Sequence, residues 1–222
     1  MVGTLRILAA VDIHGRPQAI LSALAEESPD LVLLSGDLTN AGDLQDIEEV
    51  LEYFEGFPTL FVPGNMDPPE LLSVERIGSA ENVHGKAVSV HGISIGGVGG
   101  AHPGPFSTPI ELGEDRIWGL LRGLGRVDIL LSHAPPHGPT LDIPRAGGHA
   151  GSKSVRRYIE EFQPLLCVCG HIHESAGMER LGRTLAVNPG PASRGMYCSI
   201  RLREGEIAEV KVSRAGRPGF TF

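Results

Sequence analysis

Cysteine is scarce in this 222-residue chain. Its three residues, Cys167, Cys169 and Cys198, are an odd number with no C-x-x-C pair, which argues against a disulfide framework or a thiolate zinc knot and fits a reduced, cytoplasmic setting. Basic residues are outnumbered, 19 against 27 acidic, for a net charge of −8. That balance argues against general binding to nucleic acid or to an anionic membrane, while leaving room for a local cationic site whose charge comes from metal. Long apolar runs are missing too, and Asp12 interrupts the N-terminal one, so neither a signal peptide nor a membrane span is expected. No linker or internal repeat breaks the chain, which reads as a single domain over residues 1–222. The glycines between Gly96 and Gly100 match neither G-x-G-x-x-G nor a P-loop.

What is present is an alternation of short β-rich runs with segments of helical period. Residues 5–11 read as a buried strand, 17–27 as a helix and 31–34 as the next strand. Leu44, Ile47, Leu51 and Phe54 then share one helical face, with Asp43 as N-cap and Gly56 as stop. Residues 59–62 form a third strand, 70–76 a short helical piece, 86–98 a hairpin turning at His91-Gly92, and 96–109 a loop. Ile117, Leu120, Leu121 and Leu124 mark a helix before the strand at 128–131, and a long loop covers 133–152. Val155, Tyr158, Ile159 and Phe162 give another helical face, ended by Pro164, and residues 165–169 another strand. The remainder reads as antiparallel strands at 184–187, 196–202 and 207–212. The whole suggests two sheets with helices outside.

The chemistry sits where buried strands end. Val11 leads into Asp12-Ile13-His14, Leu34 into Ser35-Gly36-Asp37, Val62 into Pro63-Gly64-Asn65-Met66-Asp67, Leu131 into Ser132-His133, and Cys169 into Gly170-His171-Ile172-His173. Helical crossovers bring the carboxyl ends of parallel strands to one edge, so these side chains are expected to converge. Singly, each has a plainer reading: Asp12 as a helix cap, Gly36-Asp37 and Gly64-Asn65 as turns, His14 as a loop residue. Their order and strand-end placement favour ligands. Carboxylate, amide oxygen and imidazole suit borderline divalent metals such as manganese, iron, zinc, cobalt or nickel. Seven ligands exceed one ion's needs, whereas two ions ~3.5–4 Å apart and sharing a carboxylate would use them all and clamp a phosphoryl group. A glycine before Asp37, Asn65 and His171 lets the backbone approach without a Cβ clash.

In order, these are D-x-H, GD, GN-x-D, a strand-end His and GHxH. The set resembles the calcineurin-like metallophosphoesterase superfamily, and Asn188-Pro189-Gly190-Pro191 resembles the NPG segment of its small bacterial and archaeal phosphodiesterase-type branch. The resemblance implies a four-layer α/β/β/α sandwich of two mixed sheets. It assigns Asp12, His14 and His173 to a first metal, Asn65, His133 and His171 to a second, and Asp37 to a bridge, with a metal-bridging hydroxide as nucleophile. Two divalent transition-metal ions are expected, manganese first, with iron, zinc, nickel or cobalt as alternatives. The departure is Met66, where members with GNH carry a histidine as the presumed proton donor or phosphate ligand. Methionine can neither donate a proton nor bind an oxyanion well. Asp67 survives as a brace for the Asn65 loop.

His102, His137, His149 and Arg194 remain as substrate-contact candidates. His149 is preferred as a catalytic residue beside Asp37 and Asn65, because its Gly-rich loop leads into an anion-favouring helix N-terminus. His84 and His91 read as structural. The reading is a phosphodiesterase acting on a small phosphoester, with no membrane partner and the oligomeric state open. The competing readings are a nuclease, disfavoured by charge and size, and a catalytically weak metal-binding scaffold on the same fold.

Overall fold

Alternate side chains of a strand point to opposite faces, so a strand buried on both sides can be apolar at every position. Residues 7–11 behave in this way: Ile7, Ala9 and Val11 face one core while Leu8 and Ala10 face another. The computed structural model of the protein describes residues 4–220. Its strands are β1 (Thr4–Ala10), β2 (Leu31–Ser35), β3 (Thr59–Val62), β4 (Arg76–Ile77), β5 (Ala80–Asn82), β6 (Ala87–Val90), β7 (Ile93–Val98), β8 (Ile129–Ser132), β9 (Leu166–Cys169), β10 (Gly177–Leu181), β11 (Thr184–Asn188), β12 (Met196–Arg203), β13 (Glu206–Arg214) and β14 (Arg217–Phe220). Its α-helices are α1 (Leu21–Glu27), α2 (Leu44–Glu52), α3 (Glu114–Leu124) and α4 (Lys153–Phe162).

The strands form two mixed sheets, one ordered β14-β13-β12-β1-β2-β3-β5-β4 and the other β10-β11-β9-β8-β7-β6. Three cores separate four layers. Between the sheets lie Val11, Leu33, Val62, Ile95, Leu131 and Val168. Outside the larger sheet, Leu8, Val32 and Leu34 meet Leu24 of α1 and Ile47 of α2. Outside the smaller sheet, Leu130 and Cys167 meet Leu121 of α3 and Tyr158 of α4. This is the expected α/β/β/α sandwich of two mixed sheets. No helix among the described residues is long and apolar enough to cross a membrane.

Local expectations were met where side chains dictate them. Asp43 caps α2 by accepting from Gln45 N and Asp46 N, while the Asp46 side chain accepts in turn from Asp43 N. Four differences have physical reasons. The helix expected at 17–27 opens as a 3-10 turn, Pro17–Ile20, before α1 begins. The piece expected at 70–76 is a 3-10 turn, Pro69–Leu72, followed by edge strand β4, because Asn82 Nδ2 claims the carbonyls of Leu71 and Val74. Strand β7 runs to Val98, as the hairpin expected at 86–98 has it, so the loop expected from 96 starts later, since the flanking β8 pairs with Gly96 to Val98. Finally, β11 is parallel to β9, so the C-terminal strands are not all antiparallel.

Candidate metal centre

Parallel pairing of β1 with β2 and β2 with β3, and of β7 with β8 and β8 with β9, brings the carboxyl ends of each stack to one edge of its sheet, and His133 Nδ1 beside Ser35 O sets the two edges against each other. The expected single sheet edge is therefore two: Asp12, Asp37 and Asn65 leave the larger sheet, His133 and His171 the smaller. Bonds across the two stitch them together, with Gly100 N donating to Pro63 O and Ser35 Oγ to Val168 O. Asp12, His14, Asp37 and His171 all have φ between 49° and 68°, in the left-handed region. For residues other than glycine that conformation is costly, and it clusters at functional sites.

Side-chain geometry divides into two overlapping groups. Asp12, His14 and His173 offer donor atoms within 4.8 Å of one another, as do Asp12, Asp37 and His133. His14 Nε2 and His173 Nε2 stand 3.1 Å apart. In the second group the orientation of His133 is decided by its far nitrogen. Nδ1 lies 3.0 Å from Ser35 O, a carbonyl that can only accept, so Nδ1 carries the hydrogen. In the neutral ring Nε2 then presents a lone pair, 2.8 Å from Asn65 Oδ1 and 3.5 Å from Asp37 Oδ1. Three such atoms converging in a buried place fit a cation. Asp37 reaches both groups, since its other oxygen stands 3.8 Å from His14 Nε2. His171 is anchored differently: its N–H donates to both Asp12 oxygens, and its ring lies edge-on to His133 at 5.2 Å.

Burial and neighbouring charges set the electrostatics of these groups. Burial, opposed by His133 but reinforced by the carboxylates of Asp12 and Asp67, pushes the Asp37 carboxyl up to about 7. Burial also pushes Asp12 up, yet His173, His133 and His14 together hold it below its ordinary value. Burial and then His133 drive His171 down to about 3, leaving a neutral, lone-pair-bearing ring.

The backbone around the centre is too close for side chains. A Cβ on Gly64 would overlap Asp37 N and Oδ1, and one on Gly36 would overlap the His133 ring. Asp67, fully buried, accepts from Gly64 N, Leu38 N, Thr39 N and Thr39 Oγ1, so it ties the Asn65 loop to the Asp37 loop as the expected brace. Met66 contributes its N–H to Asp37 Oδ1 at 2.8 Å. The NPG segment is a clasp: Asn188 Nδ2 donates to Ile172 O, and Ser193 N to Asp12 O.

The other candidates separate. His149 is not in contact with the seven converging residues among the described contacts; its Nδ1 lies 2.6 Å from Oδ1 of Asp142, a buried carboxylate that sequence reasoning missed. Nor is the helix after it a free anion site. Glu114 of α3 accepts from Lys153 N, Ser154 N and Ser152 Oγ, which fills the N-terminus of α4. His137 lies beside His149, with ring centroids 5.3 Å apart. His102 Nδ1 is buried without a partner, and Arg194 ends a 3-10 turn, Ala192–Arg194, near His173. His84 Nδ1 accepts from Gly99 N, in keeping with a structural role. A cavity of about 1090 Å³ opens beside His14, lined by Gln18, Thr39, Gln45, Glu49 and Tyr53 among others, and by no lysine or arginine.

Comparison with known proteins agrees with this architecture. The chain is 35% identical over 208 residues to an uncharacterized protein of Methanocaldococcus jannaschii, covering 89% of this chain and 93% of that one. It is 27% identical over 166 residues to a protein of Synechococcus named as a probable cyclic nucleotide phosphodiesterase, spanning 72% of this chain and 64% of the relative. A crystal structure from Thermus thermophilus superposes with a TM-score of 0.68 at 22% identity, covering 96% of this chain and all of that one. The profile described as calcineurin-like phosphoesterase matches residues 5–175, and the chain belongs to that family.

Proposed function

We propose that this protein is a phosphodiesterase that uses two divalent transition-metal ions, manganese first, on a small phosphodiester in the cytoplasm. The observation that carries the reading is Asp37, whose two oxygens face one histidine from each group, His133 at 3.5 Å and His14 at 3.8 Å. One carboxylate set between two donor groups is what a pair of ions ~3.5–4 Å apart requires. Asp12, His14 and His173 would hold one ion, Asn65, His133 and His171 the other. Such ions, when bound, supply Lewis acidity at phosphorus and an activated water.

The protein's own residues fix the geometry. The Ser35 carbonyl sets the His133 tautomer, Asp67 holds the Asn65 and Asp37 loops in register, and Asn188 clasps the His171–His173 turn. The cavity beside His14, with acidic and amide walls and no cationic side chain, supports a small substrate without further phosphates and speaks against nucleic acid. The name of the cyanobacterial relative supports a diester over a monoester. Free, buried cysteines at 167, 169 and 198 support a reducing compartment. Met66 favours one rival, a metal-binding scaffold with little turnover.

Metal analysis joined to turnover of an aryl phosphodiester and an aryl phosphomonoester decides between them. The reading expects metal-dependent hydrolysis, abolished by chelator, with the diester preferred. Bound metal without turnover would establish the scaffold.

A further inference from the structure

The cavity of about 1090 Å³ begins at the metal centre itself. His14 lines it, and the same imidazole stands 3.1 Å from His173 Nε2 and 3.8 Å from Asp37 Oδ2. An alcohol esterified to a phosphoryl group seated between the two donor groups therefore has this space beside it. The far wall is α2 with Tyr53, the residue that caps its C-terminal end. Gln18 Nε2 donates to Tyr53 Oη at 2.8 Å, which ties the turn after His14 to the end of α2 and fixes that wall.

Two local rules are broken along this wall. α2 carries Glu48, Glu49 and Glu52 in its C-terminal half, where the helix carbonyls disfavour negative charge, and it has no basic residue in its last turn. Glu48 and Glu52 are also four residues apart on the helix, a spacing at which like charges repel. No ion pair among the described residues relieves any of the three, and Glu49 receives only a 3.4 Å contact from Gln45 Nε2. A fourth carboxylate, Asp46, is engaged by Asp43 N. Among the described residues these carboxylates do not converge closely enough to hold a metal ion. Beside them, Leu44 and the Tyr53 ring are two of the few large apolar side chains that the fold leaves exposed. Carboxylates interleaved with an aromatic ring and an aliphatic side chain match an organic ammonium, whose methyl groups pack on apolar surface while its diffuse charge meets the carboxylates and the ring face.

We infer that this cavity is the subsite for one alcohol of the diester, and that the alcohol it takes carries a quaternary ammonium group, an inference that rests on the phosphodiesterase reading. Glu49, Glu52 and Tyr53 are specificity-determining residues: they meet the alcohol and stand apart from the reacting phosphorus. The same wall turns away an alcohol that carries an anion, because three carboxylates would face it.

The test compares two diesters of p-nitrophenol on the metal-loaded chain, one with choline and one with 3,3-dimethylbutanol, which has the same shape with carbon in place of the charged nitrogen. Water displaces p-nitrophenolate from both, so the ratio of their kcat/KM values reads the cavity. Exposed ion pairs and a cation–π contact support a preference of about 10-fold for the choline ester, shrinking as salt is added. The double variant Glu49→Gln with Glu52→Gln should bring the ratio close to unity, and Tyr53→Leu should lower it. Glu161→Gln, which removes a carboxylate from α4, away from the cavity, should keep it. Ring NMR signals read binding without turnover: choline should shift those of Tyr53 more than 3,3-dimethylbutanol does. A wild-type ratio near unity, a ratio that survives both cavity variants, its loss in Glu161→Gln, or equal shifts of Tyr53 by the two alcohols would overturn the inference while leaving the phosphodiesterase reading intact. A wild-type chain that hydrolyses neither diester defeats that reading first, and the subsite with it.

Discussion

Gly36→Ala is the sharpest perturbation of the centre that leaves every donor atom in place. Gly36 has φ +87°, and Gly92, in the β6–β7 turn, has φ +79°, so an alanine at either position carries a similar backbone penalty of about 1–2 kcal/mol. Around Gly92 nothing stands within 4 Å of a new Cβ. At Gly36 the Cβ would lie 2.6 Å from His133 Cγ and 2.8 Å from Gly64 Cα, and His133 is fully buried, with no solvent to retreat into. Overpacking a tight interior adds about 1–3 kcal/mol. If the ring rotates to relieve it, the hydrogen bond from Nδ1 to Ser35 O is lost, at about 1 kcal/mol. Gly36→Ala should therefore cost roughly 3–6 kcal/mol, against roughly 1–2 for Gly92→Ala. Urea unfolding of the metal-free proteins measures both costs, and manganese titration then reads the displaced Nε2 as weakened binding in Gly36→Ala alone. Equal destabilisation in the two variants with equal metal affinity would refute the close packing of Gly36 against His133.

Asp67→Ala should cost about 3 kcal/mol or more, because three backbone N–H groups and a hydroxyl lose their acceptor in a buried place; a urea-midpoint loss below about 1 kcal/mol would contradict the brace. His84 is pushed down to about 4 by burial and then by Arg116, so the folded state resists a proton that the unfolded state accepts near 6.5. Stability should fall as pH falls from 6.5 toward 4, by at most about 3 kcal/mol, and the wild-type minus His84→Gln difference in unfolding free energy isolates it; a difference independent of pH across that window would contradict the assignment. Ser152→Ala removes the acceptor for Val155 N at the start of α4 and one of the two donors to Glu114 Oε2, the other being Ser154 N; thermal melting should report a loss of about 1 kcal/mol, and an unchanged melting temperature would contradict the cap.

Legibility of the fold followed burial. β1, β2, β3, β8 and β9 could be read because both faces are covered and nearly every position is apolar. β4, β5 and β10 lie at or beside sheet edges, short or half exposed, and carry no such run. The donor atoms were readable for a different reason: a polar metal-ligand side chain closing each buried strand has to go somewhere, and parallel pairing decides where. What orients them was not. The Ser35 carbonyl that sets His133 has no side-chain signature, and the Glu114 carboxylate that fills the α4 N-terminus arrives from 38 residues away in sequence. That tertiary contact removed the anion site expected behind His149, and Asp142, an unremarked loop residue in sequence, supplied the partner that His149 has instead.

The central claim is that Asp37 stands between two ions. Anomalous scattering from crystals grown with manganese tests it most directly. The account predicts two peaks ~3.5–4 Å apart, one beside His14 and His173 and one beside His133, with an Asp37 oxygen toward each. A single peak, or two peaks of which Asp37 touches neither or only one, would contradict it.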